Sequence, residues 1–184
     1  MNNREREYIF ADLPDIGYST DIDTVMASSY QVKKQLQQIV RIEQPITNTL
    51  LYKRILRIWN LTRVTTRLQV FIDSLLEDAY KDPLSGDTII YWENKEKAKD
   101  CDFYRINSKR DILDIPILEV MSAARYAIEQ QISMPIEDLK RLTSQLLGFS
   151  RKGNNLDMVT EQTIQLLINK GIFSHANGMV SMNN

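Results

Sequence analysis

The sequence carries the same pattern twice, 88 residues apart. Ile58-Trp59-Asn60-Leu61-Thr62-Arg63 returns as Leu146-Leu147-Gly148-Phe149-Ser150-Arg151, and a leucine, Leu68 or Leu156, follows each arginine at the same distance. The two copies agree in residue type more than in identity. In each copy an amphipathic helix, a short break and a hydroxyl-bearing residue precede a second amphipathic helix. This order is typical of a helix–turn–helix, so the chain is expected to contain two similar folding units.

Apolar residues recur at helical spacing and predict three helices in each repeat. In the first repeat the helices are expected to begin at Ser28 or Ser29, at Thr47 or Asn48, and at Thr62, because these side chains cap helix N termini. Large apolar residues after the second helix of each repeat, Trp59 and Phe149, are expected to be buried against the third helix. The repeats are therefore expected to form small cores of their own.

Short extended segments accompany the helices. Residues 88–92 are β-branched and aromatic, as is typical of a strand, and a strand is also expected at 103–106. In the second repeat Pro116 suits the first turn of a helix, and Gly148 suits a left-handed helix C terminus. Asn177-Gly178 supplies the two positive-φ residues of a tight hairpin. Three helices followed by a hairpin is the order of a winged helix.

These patterns predict a mainly α fold of the α+β type with short hairpins, in which two winged-helix-like units in tandem follow an N-terminal extension. We place an extended leader at 1–27, the first unit with a charged connection at 28–110, and the second unit at 111–184. The leader lacks helical periodicity and contains six large apolar residues between Tyr8 and Tyr18. Two alternatives are open for them: packing on the domain itself, or docking onto a partner.

Composition excludes several classes of protein. No apolar run approaches the ~20 residues of a membrane span, and the N terminus lacks the apolar stretch of a secretory signal. The single cysteine, Cys101, fits a reducing compartment, so a cytoplasmic protein without membrane contact is expected. The net charge is −1, but residues 39–82 carry seven Lys/Arg against five Asp/Glu, and residues 134–184 carry five against four. The repeats are thus the slightly basic parts of the chain.

Basic and polar residues flank the start of the third helix in both repeats. They are Arg63, Thr65, Thr66, Arg67, Arg151, Lys152, Asn154 and Asn155. A winged helix presents this region to a nucleic-acid groove, where Arg and Lys neutralise phosphates and Asn, Thr and Arg bond to base edges. The alternative is that Arg63 and Arg151 are structural and satisfy carbonyls at the end of the preceding helix.

The same segments resemble a known family. Those that carry the resemblance are Glu43-Gln44-Pro45-Ile46, Trp59-Asn60-Leu61-Thr62-Arg63, Trp92 and Leu146-Leu147-Gly148-Phe149-Ser150-Arg151-Lys152-Gly153. They are similar to a C-terminal domain of unknown function, family 3320, of large bacterial superfamily-one DNA helicase-related proteins, over about residues 30–180. The chain departs from the family at two places. Gln44 replaces a glycine, and Thr65 and Thr66 stand where the family tends to have a glycine after the first repeat's arginine. The resemblance implies a place after a helicase motor and a restriction-endonuclease-like domain, and it implies no catalytic residues.

No segment predicts catalysis. Gly148 and Gly153 have the spacing of a phosphate-binding loop, but Asn154 and Asn155 replace the lysine and hydroxyl that nucleotide binding needs. One histidine and one cysteine exclude a zinc site or a Cys–His pair. We therefore expect a non-enzymatic accessory domain, without cofactor or metal, that binds DNA weakly beside a helicase motor or nuclease domain in the same or another chain. The alternative is a protein-interaction module that docks such a domain or forms a homodimer.

Overall fold

The computed structural model describes residues 3–18, 20–82, 88–99, 101–106 and 109–183. Within these residues lie eight α-helices and eight short strands, which confirms the α+β class. In chain order they are β1 (Glu5–Glu7), α1 (Ile22–Ala27), α2 (Ser29–Glu43), β2 (Ile46–Thr47), α3 (Asn48–Ile58), α4 (Thr66–Leu75), β3 (Tyr80–Lys81), β4 (Ile90–Trp92), α5 (Lys95–Lys99), β5 (Tyr104–Ile106), α6 (Ile117–Glu129), β6 (Met134–Pro135), α7 (Ile136–Leu146), α8 (Asn154–Asn169), β7 (Phe173–Ala176) and β8 (Met179–Met182).

The chain divides into two compact units. The first unit comprises Ile9–Asp100, and the second comprises Met1–Tyr8 together with Cys101–Asn184. This division differs from the boundaries expected from the sequence, because the leader contributes to both units and residues 101–110 belong to the second. The physical reason is strand pairing: β1 at the start of the leader pairs in parallel with β5, while the rest of the leader packs on the first unit.

Both units have the same order of elements, namely helix, strand, helix, helix, strand, strand. The order runs from α2 to β4 in the first unit and from α6 to β8 in the second. The second helices begin at Asn48 and Ile136 and the third helices at Thr66 and Asn154, so both pairs are 88 residues apart. The repeat predicted from the sequence is therefore confirmed in the backbone.

A small antiparallel sheet closes the repeat in each unit. The strand orders are β2-β4-β3 and β6-β8-β7, so the strand before the second helix always pairs with the last strand. The predicted hairpin at the end of the chain is confirmed, with Asn177 at φ 52° and Gly178 at φ 75°. The segment Asp82-Pro83-Leu84-Ser85-Gly86-Asp87 has the residue types of a turn, but apart from Asp82 it lies outside the described residues.

Each unit has its own apolar core. In the first unit, the helices α2, α3 and α4 bury one face each, and their fully buried side chains include Leu36, Leu51, Ile55, Leu68 and Ile72. In the second unit the corresponding faces of α6, α7 and α8 bury Ile128, Leu139, Ile164 and Leu167 with Phe173 of the hairpin. Burying one such side chain contributes about 1.5–3 kcal/mol, so these faces fix the three helices of each unit against one another.

Both second helices end in the same capping motif, centred on Asn60 and Gly148. These residues have φ values of 47° and 89°, in the left-handed region that ends helices. The next residue, Leu61 or Phe149, donates its N–H to the carbonyl five positions back, at 2.9 and 3.0 Å. Backbone groups therefore satisfy the last carbonyls of both helices.

The apolar residues that follow these helices are not all equivalent. Trp59 is 3% exposed, which confirms that it is buried, and its indole N–H donates to Gln35 at 2.9 Å. The 88-residue offset aligns Trp59 with Leu147, which is 4% exposed. Pairing Trp59 with Phe149 was wrong, because Phe149 follows the left-handed residue of the cap and is only partly buried.

Three local features differ from the sequence expectation. The cap of α4 is Thr65 and not Thr62, since Thr65 Oγ1 accepts the Leu68 N–H at 3.2 Å. The leader forms β1 and α1, and Asp21 caps α1 through the Thr24 N–H at 2.8 Å. The charged connection contains the short helix α5.

Among the described residues, no helix has the length and apolarity needed to cross a bilayer.

Candidate nucleic-acid interface

In the first unit, the predicted residues lie in the turn between α3 and α4 and in the first turn of α4. Arg63 is exposed and makes no hydrogen bond or ion pair within the described residues. Thr66 and Arg67 are exposed on the first turn of the helix. Thr65 is committed to capping, because its hydroxyl accepts a backbone N–H. The structure therefore brings three of the four predicted side chains to one solvent-facing helix start.

In the second unit, Arg151 and Lys152 lie in the turn before α8, exposed and without a partner among the described residues. Gly153 caps α8 in an extended conformation and provides no side-chain hydrogen bond. Asn154 and Asn155 are exposed in the first helical turn. The first N–H groups of a helix attract anions, and the two cations beside them strengthen that attraction.

The geometry removes the structural alternative for the repeated arginines. If Arg63 and Arg151 braced the preceding helices, their guanidinium groups would bond to the terminal carbonyls. Those carbonyls instead accept the N–H groups of Asn60 and Leu61, or of Gly148 and Phe149. Both arginines occupy equivalent places, point to solvent and have no intramolecular partner in the described part of the chain.

Charge is distributed unevenly in the first unit. Residues 44–72 contain five cations, Lys53, Arg54, Arg57, Arg63 and Arg67, and no Asp or Glu. Residues 8–27 contain four aspartates and no Lys or Arg. The helix–turn–helix is thus the cationic part of this unit, and the leader is its anionic part.

Arg54 is the structural member of this cationic set. Its guanidinium forms a two-pronged hydrogen bond with the fully buried carboxylate of Glu43, at 2.8–3.2 Å. Glu43 also accepts the backbone N–H of Ala11 at 3.1 Å, and the ring of Phe10 lies 4.4 Å from the Arg54 guanidinium carbon. The leader is therefore fastened to α2 and α3 through this buried charge pair.

The exposed face of α8 differs from that of α4 because it is acidic. Lys140 of α7 lies between Glu137, Asp157 and Glu161, at 3.3, 2.8 and 2.9 Å. Burial lowers the Lys140 pKa, but the hydrogen bonds to Asp157, Glu161 and Glu137 outweigh it and raise the pKa above its ordinary value. Lys140 is therefore occupied, and the exposed cations beside the start of α8 are Arg151 and Lys152 in the turn before it.

A second buried charge cluster lies in the second unit, and the sequence analysis missed it. The Glu119 carboxylate is fully buried and accepts the Arg105 backbone N–H at 3.0 Å and both terminal nitrogens of Arg110 at 2.8 and 2.9 Å. The Arg105 guanidinium also binds it, and the Tyr8 ring lies 4.3 Å from the Arg110 guanidinium carbon. Arg105, Arg110 and Glu119 lie within 14 residues of one another, but in a strand, a connecting segment and a helix, so no single periodicity groups them.

Two tyrosines share one carboxylate in the first unit. Tyr52 donates to Asp73 at 2.8–2.9 Å, and Tyr91 donates to the same carboxylate at 3.1 Å. Burial, together with Asp73, raises the pKa of Tyr52 to about 12 and raises that of Tyr91 further. Both hydroxyls remain protonated at neutral pH, so the cluster binds β4 to α3 and α4 and supplies no nucleophile.

A groove of about 570 Å³ lies between α2 and the end of α4 in the first unit. Its apolar lining residues are Val40, Leu75, Leu76 and Ala79, and its charged ones include Lys34, Arg41 and Glu93. Among the described residues, no three His, Cys, Asp or Glu side chains are close enough together to hold a metal ion.

Comparison with known proteins gives one match. No curated protein and no solved structure matches the chain significantly. The matching family is described as Protein of unknown function (DUF3320), and the match covers residues 27–70. This segment contains α2, β2, α3, the turn with Arg63 and half of α4. Over α2, α3 and the first half of α4, therefore, the chain is similar to the DUF3320 family.

Proposed function

We propose that the two units are winged-helix-like modules and that the protein binds nucleic acid, without catalysing a reaction, mainly through the first unit. The order helix, strand, helix, helix, strand, strand, with the first strand paired to the last, supports the winged-helix assignment in both units. Winged-helix and helix–turn–helix proteins use the third helix and the preceding turn to contact a groove.

The observation that carries the proposal is the pair of repeated arginines. Arg63 and Arg151 are exposed at equivalent positions, and the capping motifs leave them no structural task. An arginine that two copies of a fold retain without an internal partner is available for an external anion. Its guanidinium group matches phosphate geometry and donates two parallel hydrogen bonds.

The first unit is the stronger binder in this proposal because α3 and the turn before α4 carry no Asp or Glu, and the one acid of α4, Asp73, is hydrogen-bonded to Tyr52 and Tyr91. Arg63 and Arg67 contact phosphates, and the Thr66 hydroxyl lies in the first turn of α4, where base edges are reached. In the second unit Arg151 and Lys152, with Asn154 and Asn155, add a weaker contact beside the acidic face of α8. Binding is non-specific in character, with a dissociation constant of about 10⁻⁴ to 10⁻⁶ M near physiological salt.

The test is a fluorescence-anisotropy titration of the whole chain against a labelled short duplex and the matching single strand at low salt. The double variant Arg63→Glu/Arg67→Glu is expected to bind at least tenfold more weakly than the wild type. Arg151→Glu/Lys152→Glu is expected to have a smaller effect. Replacing these cations should also reduce the slope of log affinity against log salt by about 0.9 for each phosphate that is no longer neutralised.

The matched control is Lys95→Glu/Lys97→Glu. Both lysines are exposed on α5, in the same unit as Arg63 and Arg67, and the charge change is the same. If the control weakens binding as much as Arg63→Glu/Arg67→Glu, binding reflects net charge and not the helix–turn–helix. If the wild type binds neither single- nor double-stranded DNA, the proposal is wrong.

A second candidate function is protein interaction, and a specific observation favours it. Val70 of α4 and Met158 of α8 lie at equivalent positions, 88 residues apart, and are 66% and 45% exposed. Two large apolar side chains exposed on the solvent face of third helices suit an apolar partner surface. This candidate predicts that Val70→Ser/Met158→Ser abolishes association with a helicase or nuclease domain, or self-association in light scattering, while DNA affinity is unchanged.

The biological setting is also part of the proposal. We propose an accessory domain of a DNA helicase or nuclease system, with the motor or nuclease domain in the same or another chain. The resemblance of the sequence to family 3320 of helicase-related proteins supports this setting. A helicase motor in the same reading frame would establish it, whereas an isolated gene without such a neighbour would count against it.

A further inference from the structure

The leader of the first unit pairs with two arginines, one of which, Arg67, is needed by the proposed function. Its backbone is fastened beside the end of α3: the Ile16 N–H donates to the Ile58 carbonyl at 2.9 Å, and the Asn60 amide donates to the Tyr18 carbonyl at 3.3 Å. The Thr20 hydroxyl donates to the Trp59 carbonyl. Leu13 and Ile16 also pack on the core of the unit, so the leader lies against the helix–turn–helix and does not extend away from it.

Two aspartates of this fastened segment face two arginines of the helix–turn–helix. Asp23 in the first turn of α1 forms an ion pair with Arg67 at 2.8 Å. Asp12 lies 3.9 Å from Arg57. All four side chains are more than half exposed, so the pairs are not part of a buried core and a competing anion can reach the arginines.

We infer that the leader is an autoinhibitory segment, whose Asp12 and Asp23 occupy in the free protein the positions of two nucleic-acid phosphates. This inference rests on the proposed nucleic-acid binding and concerns the regulation of the same site. Of the four aspartates of residues 8–27, Asp12 and Asp23 pair with Arg57 and Arg67, so these two carboxylates mimic the charge of two phosphates. A phosphate that binds Arg67 must first displace the Asp23 carboxylate. This exchange lowers the apparent affinity of the protein for nucleic acid.

The magnitude follows from the exposure of the pairs. An exposed ion pair is weak in water, so each pair that is released is expected to raise affinity about two- to fivefold. The double variant Asp12→Asn/Asp23→Asn should therefore bind a duplex about four- to twenty-fivefold more tightly than the wild type at low salt. Because salt also weakens the two inhibitory ion pairs, the wild type should lose less affinity with rising salt, and the salt slope of the double variant should be steeper by up to about 2.

The matched control is Asp15→Asn/Asp21→Asn in the same leader. It removes the same charge, but Asp15 and Asp21 accept backbone N–H groups in a turn and a helix cap, tasks that asparagine also performs. The affinity of this control for the duplex should rise less than that of Asp12→Asn/Asp23→Asn, and its salt slope should equal that of the wild type. In an Arg67→Gln background, Asp23→Asn should have no effect, because the partner it frees is absent.

The experiment is the same duplex titration with these variants, each first shown by its tryptophan-fluorescence melt to be folded. If Asp12→Asn/Asp23→Asn binds no more tightly than Asp15→Asn/Asp21→Asn, the leader is not autoinhibitory, although the proposed binding stands. An undiminished effect of Asp23→Asn in the Arg67→Gln background would also overturn the inference. If neither the wild type nor any variant binds, the proposed function fails and this inference fails with it.

Discussion

The buried carboxylate of Glu119 should dominate the stability of the second unit and its dependence on pH. Burial alone raises a carboxyl pKa, but the charges and hydrogen bonds of Arg105 and Arg110 outweigh burial and lower the pKa of Glu119 to about 2, from an ordinary value of 4.5. Because this pKa is lower in the folded than in the unfolded protein, the charged group stabilises the fold above about pH 4.5. That contribution, about 3 kcal/mol, is lost as the pH falls through about 2.

The substitution Glu119→Gln keeps the volume and removes the charge. It takes from Arg105 and Arg110, which are 5% and 8% exposed, the buried carboxylate that they share. Breaking a buried pair in this way costs about 3–5 kcal/mol. Asp138→Asn is the control in the same unit, because its pair with Arg141 is exposed and contributes at most about 0.5 kcal/mol.

The assay must distinguish unfolding of the second unit from unfolding of the first. Both tryptophans, Trp59 and Trp92, belong to the first unit, so fluorescence reports on that unit, and far-UV circular dichroism in urea must report on the whole chain. Glu119→Gln should move the dichroism transition and leave the fluorescence midpoint unchanged. Between about pH 5 and pH 2 its stability should also fall less than that of the wild type. Equal dichroism midpoints for Glu119→Gln and Asp138→Asn would refute this reasoning.

Three further predictions concern other parts of the fold. Trp59→Ala should destabilise the first unit by about 3–5 kcal/mol, because a large buried side chain is removed. A urea titration followed by circular dichroism measures this change. An effect below about 1 kcal/mol would mean that the surrounding residues relax to fill the cavity. Asn60→Gly should be close to neutral, because glycine suits the positive φ but the hydrogen bond from the Asn60 amide to the Tyr18 carbonyl is lost. Gly148→Ala should cost about 1 kcal/mol, since no neighbour blocks a Cβ there and only the positive φ is strained. Deleting residues 3–8 should lower the melting temperature of the second unit by removing β1, and an unchanged dichroism melt would contradict the importance of the β1–β5 pairing.

Much of the helical framework could be predicted from the sequence because local signals and packing agree. The apolar spacing in α3 and α8 coincides with buried faces, and Gly148 and Asn177-Gly178 adopt the left-handed backbone that their residue types favour. The two-residue strands β2 and β6 were missed because they are too short to show any periodicity. Their existence depends on pairing with strands far along the chain.

The position of the candidate interface could be predicted from the sequence, but which of its arginines are free to bind an anion could not. The sequence placed Arg63 and Arg67 beside the third helix, but only the folded chain shows that Arg67 is paired with Asp23 and that Arg63 has no partner in the described residues. The helix cap shows the same limit: Thr62 and Thr65 are equally good cap residues, and the extended backbone of Thr65 decides between them. Which side chains form ion pairs and caps of this kind depends on the tertiary structure, which local sequence patterns do not specify.

Nucleic acid is proposed to bind at the start of the third helices, and this binding can be observed residue by residue. The most direct measurement is an NMR titration of the isotope-labelled chain with a short duplex, following the backbone amide signals. We predict that the largest shift changes cluster at residues 60–67, with smaller changes at residues 148–155 and little change on α5. Shift changes confined to other surfaces, or no changes at a duplex concentration of about 10⁻⁴ M, would contradict binding at these helix starts.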